Sequence, residues 1–385
     1  MNILITSMFY EKSFGQGLCA RKLAEYLAEK GHKITVLHGE KQEFSNKKNL
    51  IIERINSTDL KGVDILSFAF NLKQKVLQPT GFDVIYAQDY SLGLIDFTKI
   101  SIPLIYHARG TVKGNSLNRP KASLKTELGR KMIIPLMIEM DKNCCQNAKR
   151  IITASKTIKQ EIISFYGIAE EKISIVGDGV DLKKFIKSKD VLKKAEKLRN
   201  KLKLNNKKVL LFAGRLVPQK GIIYLIKALT EITKKFPELI LLIAGKNTSE
   251  NYKKVIQKEI KKNNVSEFIK FIGYIEQDSM PELIELSDLI VSPSTYEPIG
   301  IINIEAIAMN KPIVIPKSIG SIDLLRESAL IVNPENPKEI SDAVIKIFSS
   351  KKLYKKLSEK GRINAEKTEW NKIGKKIEEI LSENK

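Results

Sequence analysis

Two glutamates with seven residues between them stand out in the second half of the chain. Glu297 follows the apolar run Asp288-Leu-Ile-Val-Ser-Pro-Ser294, and Glu305 lies in a segment of helical composition. The run predicts a buried parallel strand, so Glu297 lies at the carboxyl end of a strand, where open α/β sheets bind ligands. The first backbone N–H groups of the helix, around Gly300 and Ile301, can bind an anion. If that anion is a diphosphate, one carboxylate can bind sugar hydroxyls and the other a ribose. This combination is what a nucleotide-sugar pocket requires. The alternative is a surface helix with incidental glutamates.

Two cations occupy a loop that is expected at the same edge of the sheet. Arg215 and Lys220 follow the predicted strand Lys208-Val-Leu-Leu-Phe-Ala213, and Gly214 beside them permits a close backbone approach. Arginine offers a fork for phosphate oxygens and lysine a point charge. A solvated loop is the alternative, because exposed charges are common. A further loop at this edge runs from Gly245 to Thr248.

Composition limits the classes of protein to consider. The chain has 385 residues, a formal net charge of +22, three cysteines and three histidines. The cysteines form no spaced framework, which indicates a reducing compartment, and we expect a cytoplasmic protein without a leader or a membrane span. The charge favours anionic partners, but the sequence has no nucleic-acid-binding signature. We also expect no metal site, because the histidines form no cluster and no Asp-x-Asp motif is present.

Strand and helix signals alternate in both halves, which predicts an α/β protein with two Rossmann-like domains and a cleft between them. We expect a first domain at residues 1–186, a linker at 187–207, a second domain at 208–364 and a C-terminal helix at 365–385. That helix is expected to pack back on the first domain. The first strand leads through Gly15-Gln-Gly17 into a helix. The lysine-rich segment 187–207 has too little apolar content for a core strand, and we expect a short helix plus the linker there.

Together these residues resemble glycosyltransferase family 4, which has the GT-B fold and retains the configuration of the transferred sugar. The resemblance covers nearly the whole chain. The segments that carry it are the Gly15–Gly17 loop, Val176-Gly-Asp-Gly-Val-Asp181 with Phe185, Ala213-Gly-Arg-Leu-Val-Pro-Gln-Lys-Gly221, Ser292-Pro-Ser294, Glu297-Pro-Ile-Gly-Ile-Ile-Asn-Ile-Glu-Ala306, Lys311-Pro-Ile-Val314 and Trp370.

The resemblance implies a role for each matching position. Arg215 and Lys220 would hold the donor diphosphate, Glu305 would bind the ribose hydroxyls, and Glu297 would contact the transferred sugar. The backbone after Glu297, including Gly300 and Ile301, would hold sugar and phosphate oxygens. The nucleotide sugar is then a substrate, and no cofactor is expected.

The first half departs from the family in two places. The family often has two adjacent glycines in the first loop, where this chain has Gly15 and Gly17 around a glutamine. It often has a histidine where this chain has Arg109, with His107 two residues earlier. His107 either faces the cleft or is a core histidine. Asp89, at a strand end, either contacts acceptor or donor or caps a turn.

The proposed chemistry is retaining transfer without a metal. No histidine–carboxylate pair in the first half presents a general base, so the leaving diphosphate would serve as the base while cations stabilise it. The acceptor would be a glycan or a lipid-linked sugar. Sugar-nucleotide epimerases and glycogen phosphorylases share the architecture, and a non-catalytic protein that binds anions or nucleic acid is a further alternative.

One helical segment, Ser123–Cys145, combines an apolar stretch with basic residues in the domain that is expected to receive the acceptor. Met132-Ile-Ile-Pro-Leu-Met-Ile138 is flanked by Arg130, Lys131 and Lys142. A basic, apolar helix can lie in an anionic membrane interface, which predicts a peripheral protein at the inner face of the membrane. The alternative is a helix that packs on its own sheet.

Overall fold

The computed structural model describes residues 1–10, 15–42, 44–58, 63–77, 81–118, 124–246 and 249–385. They form two compact units. Apart from a few residues after Leu117, the chain up to Gly179 and the C-terminal Trp370–Lys385 form the first unit, and Val180–Glu369 form the second. The chain therefore changes unit at Gly179, seven residues before the predicted end of the first domain at 186.

The first unit contains one sheet of parallel strands in the order β3-β2-β1-β4-β5-β6-β7. Most of its strands are buried on both faces, which explains their near-continuous apolar sequences. Two clusters of buried apolar side chains cover the faces. The strands are β1 Asn2–Ser7, β2 Lys33–His38, β3 Leu50–Arg54, β4 Val84–Ala87, β5 Leu104–Ala108, β6 Arg150–Thr153 and β7 Ile173–Ile175.

Helices pack on both faces of this sheet. The C-terminal helix belongs to this unit, because Ile373, Ile377 and Leu381 are buried in the cluster that includes the first helix. A Cβ at Gly374 would lie 2.6 Å from the Tyr26 ring, so a residue without a side chain permits this contact. The helices are α1 Gln16–Glu29, α2 Asp64–Val76, α3 Val112–Leu117, α4 Leu124–Asn147, α5 Lys156–Tyr166 and, in the order of the whole chain, α14 Trp370–Glu383.

The second unit repeats the same plan with a parallel sheet in the order β10-β9-β8-β11-β12-β13. The order reverses at the pair β8 and β11, so the loops that follow these two strands flank the topological switch point, where such sheets bind ligands. The strands are β8 Lys208–Ala213, β9 Leu239–Ala244, β10 Ile269–Gly273, β11 Leu289–Val291, β12 Ile313–Pro316 and β13 Ala329–Val332.

The predicted linker at 187–207 largely forms a helix of the second unit. Ser188 caps this helix by accepting a hydrogen bond from Val191 N at 3.2 Å, and Val191 and Ala195 are buried. The helices of this unit are α6 Lys189–Lys201, α7 Ile222–Lys235, α8 Glu250–Lys262, α9 Met280–Leu286, α10 Ile301–Ala308, α11 Ile322–Leu325, α12 Pro337–Ser349 and α13 Lys351–Ala365. In the described parts of both units, no helix is long and apolar enough to cross a membrane.

Candidate active site

Two loops of the second unit approach closely at the switch point. The loop after β8 and the loop after β11 are joined by a hydrogen bond from Thr295 N to Gln219 O at 2.9 Å. Gly221 has a φ of 67°, and a Cβ there would lie 1.8 Å from the carbonyl oxygen of Pro293. Only glycine fits this position, so the glycine brings the two predicted ligand loops together.

The first glutamate of the pair contacts a cation from the neighbouring loop. Lys220 Nζ donates a hydrogen bond to Glu297 Oε2, and the exposed fractions of the two side chains are 23% and 12%. Ser294 Oγ approaches the same oxygen at 3.4 Å, and Glu297 O accepts a bond from Gly320 N at 2.9 Å. Two residues that are 77 positions apart in sequence therefore form one charged pair.

The other residues of the cationic loop take separate positions. Arg215 has an exposed side chain. Gly214 lies against the loop after β9, because a Cβ at Gly245 would meet its carbonyl oxygen at 1.8 Å. Three strand-end loops thus meet at one edge of the sheet. The remainder of the predicted third loop, Asn247 and Thr248, lies outside the described residues.

Helix α10 begins at this edge. Gly300 has a φ of 81° and precedes Ile301, the first residue of the helix. Asn303, in the first turn, is buried; its Oδ1 accepts a bond from Ser292 Oγ at 2.8 Å, while its Nδ2 has no partner among the described residues. The backbone N–H groups of a first turn have no partner within the helix, so this end carries a positive potential.

The second glutamate lies farther along α10 in a different environment. Glu305 is 4% exposed. Gln277 Nε2 donates a hydrogen bond to its Oε1 at 2.5 Å. Burial raises the pKa of Glu305 to about 7, although the bond from Gln277 and the positive charge of Lys184 both act to lower it. The structure therefore places the two glutamates beside different partners, an ammonium for Glu297 and an amide for Glu305.

In the first unit, the predicted glycine loop precedes α1. Gly15 has a φ of 87°, and its carbonyl oxygen accepts a bond from Cys19 N at 3.1 Å. Gly17 is a buried residue of the first turn, and Gln16 Nε2 reaches back to Gln88 O at 2.9 Å. The loop residues 11–14 are outside the described part of the chain.

Asp89 forms local hydrogen bonds. Its carboxylate accepts from Met8 N at 2.6 Å and from Ser91 N at 2.9 Å, which joins the loops that follow β1 and β4. Burial raises its pKa, and these hydrogen bonds partly oppose the shift. This geometry is that of a turn-capping aspartate, and a contact with acceptor or donor stays a prediction.

His107 and Arg109 lie near each other at the end of β5 but have different partners. His107 is 1% exposed, its Nδ1 lies 2.5 Å from the Tyr86 hydroxyl, and burial holds its pKa well below the usual range. Arg109 Nη1 donates to Asp178 Oδ1 at 2.6 Å. The histidine is therefore neutral at ordinary pH, and the arginine is part of a buried ion pair.

The sequence interpretation missed several polar groups around these residues. Asp178 Oδ2 and both amide atoms of Gln88 are buried and have no hydrogen-bond partner in the described structure, and the same is true of Nε2 of His107, which the sequence did identify. Gln88 and Asp178 follow β4 and β7, so their position at strand ends was the available signal. Within the described ranges, no group of three or more histidine, cysteine, aspartate or glutamate side chains is placed to hold a metal ion.

Two family models match successive parts of the chain. The model described as Glycosyltransferase Family 4 matches residues 15–184, and the model described as Glycosyl transferases group 1 matches residues 193–364. The second match covers the whole sheet of the second unit, and the first match covers the sheet of the first unit except β1. Both descriptions are of glycosyltransferases, and the chain is a glycosyltransferase whose first part matches family 4. It is an enzyme with the GT-B fold, as the resemblance implied.

Relatives of this glycosyltransferase include an uncharacterized glycosyltransferase of Methanocaldococcus jannaschii. It is 24% identical over 375 residues, which cover 94% of this chain and 92% of the relative. Spore coat protein SA of Bacillus subtilis is 28% identical over 256 residues, covering 63% of this chain and 67% of that protein.

Solved structures show the same fold at low identity. Anabaena HepE, in complex with UDP and glucose, has a TM-score of 0.78 and 19% identity, with 100% of both chains covered. Sucrose-phosphate synthase from Thermosynechococcus elongatus has a TM-score of 0.81 and 19% identity, with 99% of this chain and 98% of that chain covered.

Proposed function

We propose that this enzyme transfers a sugar from a nucleoside diphosphate sugar, with retention of anomeric configuration and without a metal ion, to a glycan or lipid-linked acceptor. The observation that carries the proposal is the contact between Lys220 and Glu297 across the two loops at the switch point of the second sheet. It brings a cation and a carboxylate together near the start of one helix, which supports phosphate binding by the first and binding of sugar hydroxyls by the second.

The electrostatics of this edge suit a leaving diphosphate. Lys220 and Arg215 supply two positive charges, and the start of α10 adds the positive end of a helix dipole. A phosphate oxygen can compete with Glu297 for Lys220, because both are anionic acceptors. Glu305 would accept hydrogen bonds from the ribose hydroxyls.

The same arrangement supports retention without a metal. Cationic side chains can stabilise the negative charge that develops on the leaving group, which is one role of a divalent ion in other transferases. The departing phosphate oxygen can then take the proton of the acceptor hydroxyl on the same face of the sugar. His107 is a poor candidate for the base, since burial encloses it and Tyr86 occupies its Nδ1.

The test begins with the thermal stability of the full chain against UDP, GDP and ADP and their glucose and mannose derivatives. A ligand that binds only the folded state raises the melting temperature, and the increase grows with the logarithm of its concentration once that exceeds Kd. UDP is the first choice because the HepE structure contains it. The best donor is then offered with candidate acceptors, and the anomeric configuration of the product is read by NMR.

Three results would contradict the proposal. They are the absence of stabilisation by any nucleotide, inversion at the anomeric carbon, and conversion of the donor to its epimer without transfer. The last would instead support a sugar-nucleotide epimerase.

We also propose that helix α4 contacts an anionic membrane surface. Met132 and Leu136 on this helix are 81% and 44% exposed, and Leu117 at the end of α3 is 67% exposed. Lys131 is exposed beside them. Apolar side chains next to a cation suit the boundary between acidic headgroups and acyl chains. The start of the predicted segment, Ser123, is outside the described residues.

Vesicle co-sedimentation at low salt tests this surface. We expect binding to phosphatidylglycerol vesicles but not to phosphatidylcholine vesicles, and loss of binding in the double variant Met132→Asp, Leu136→Asp. Val255→Asp, at a half-exposed apolar position of α8 in the second unit, is the matched control. Equal binding to both lipids, or no effect of the double variant, would contradict the proposal.

A further inference from the structure

Gln277 is a residue of the second unit to which the sequence assigned no role. It begins a single 3-10 turn, Gln277–Ser279, between β10 and α9, and its side chain reaches α10. Its Nε2 lies 2.5 Å from Glu305 Oε1. The two residues are 28 positions apart, so the tertiary fold brings them together.

The remaining groups near Glu305 are charged but act from farther away. Lys184 influences Glu305 through its positive charge, and its Nζ pairs with Asp278 Oδ1 at 2.7 Å. The direct partner that the structure gives Glu305 is therefore a neutral amide. A lysine there would attract phosphate, whereas an amide donor orients the carboxylate without adding charge.

We infer that Gln277 positions Glu305 for the ribose of the donor, by fixing the plane of the carboxylate and leaving its other acceptor directions for the two vicinal hydroxyls. The inference rests on the proposed function of this site. A carboxylate has about four acceptor directions, so one bond from Gln277 leaves enough for two hydroxyl donors. Gln277 touches no reacting atom and acts through Glu305.

This arrangement would control the preference of the site for a ribonucleotide over a nucleotide without ribose hydroxyls. The ribose hydroxyls would donate to Glu305, whereas a 2′,3′-dideoxyribose has nothing to donate. Loss of Gln277 should weaken binding of the ribonucleotide and leave binding of the dideoxynucleotide unchanged. A purely structural role would weaken both alike.

The experiment measures affinities of the full chain for UDP, GDP and ADP and for the 2′,3′-dideoxy form of each. We expect Gln277→Leu to lower affinity for the preferred ribonucleotide about tenfold, the usual consequence of disturbing a hydrogen bond to a charged group, with no change for its dideoxy form. Gln257→Leu, at an exposed position of α8, is the matched control and should change neither.

A second variant provides a pH-dependent rescue. In Gln277→Glu, a protonated carboxyl can still donate to Glu305, whereas an ionised one repels it. Compared with the unmodified chain at the same pH, ribose selectivity of this variant should therefore be equal at acidic pH and lower at alkaline pH, a dependence that a folding defect would not produce.

The outcomes separate the two proposals. If the unmodified chain binds none of the three nucleotides, the proposed donor site fails and this inference with it. If it binds with a ribose preference that Gln277→Leu leaves intact, or if Gln277→Leu weakens the ribo and dideoxy forms equally, only the role of Gln277 is wrong.

Discussion

Replacing Glu305 by glutamine should make the protein relatively more stable at alkaline pH. Burial raises the pKa of Glu305 from its ordinary value of 4.5 to about 7 in the folded protein. Below pH 4.5 the group is protonated in both the folded and the unfolded chain and contributes nothing to pH dependence. Between pH 4.5 and 7 the unfolded chain releases the proton while the folded chain retains it, so stability falls as pH rises.

Above pH 7 Glu305 is ionised in the folded and in the unfolded chain, so the free-energy cost of burying its charge lowers the stability in full. Since one pKa unit corresponds to about 1.4 kcal/mol, the difference between 4.5 and about 7 amounts to about 3 kcal/mol. Glu305→Gln keeps an acceptor for Gln277 and removes the charge. The free energy of unfolding of the variant, minus that of the wild type, should therefore rise by about 3 kcal/mol between pH 4.5 and 8.

Urea unfolding followed by circular dichroism at a series of pH values measures this difference. Glu267→Gln, at an exposed position of the second unit, controls for the loss of one carboxylate. A difference in the free energy of unfolding between Glu305→Gln and wild type that stays constant with pH would refute the reasoning.

Ribose hydroxyls that donate to Glu305 should lower its pKa, so nucleotide affinity of the wild type should increase from pH 5.5 to 8.

Three further predictions concern the same edge of the second sheet. Arg215→Ala and Lys220→Ala should each lower kcat/KM about 100-fold, because each cation would face the charge of the leaving diphosphate; near wild-type kinetics would remove that role. Transfer should continue in excess EDTA, and a complete loss that Mg²⁺ or Mn²⁺ restores would disprove metal independence. Gly245→Ala should lower stability by about 1–3 kcal/mol in thermal unfolding, since its Cβ would lie 1.8 Å from Gly214 O, and unchanged stability would show that the loops can separate.

The sequence predicted the buried strands that flank the site. β1, β8, β9 and β11 are buried apolar runs, which parallel sheets require. It missed β3 and β13, which are outermost strands of their sheets. Each carries only a short apolar run, Leu50-Ile-Ile52 or Ala329-Leu-Ile-Val332, and a run of this length does not by itself distinguish a strand from a helix segment.

The segment 187–207 was expected to contain a short helix as part of a linker. In the structure a narrow stripe that includes Val191 and Ala195 holds that helix, α6, in the second unit. Spacing between residues likewise identified Glu297 and Glu305, while Gln277 and Asp178 could not be assigned. Their roles come from partners that only the fold brings near, and neither lies in a local pattern with its partner.

The two glutamates that first drew attention carry the same side chain in opposite surroundings. Glu297 contacts an ammonium, and Glu305 contacts an amide in a site where burial works against its charge. A nucleoside diphosphate sugar would bring phosphate charge to Lys220 and neutral hydroxyls to Glu305. The phosphate would compete with Glu297 for Lys220 and release that carboxylate toward the sugar, while the ribose would supply the donors that stabilise an ionised Glu305. Each carboxylate is thus matched to the part of the donor that it would face, and one short helix separates the two functions.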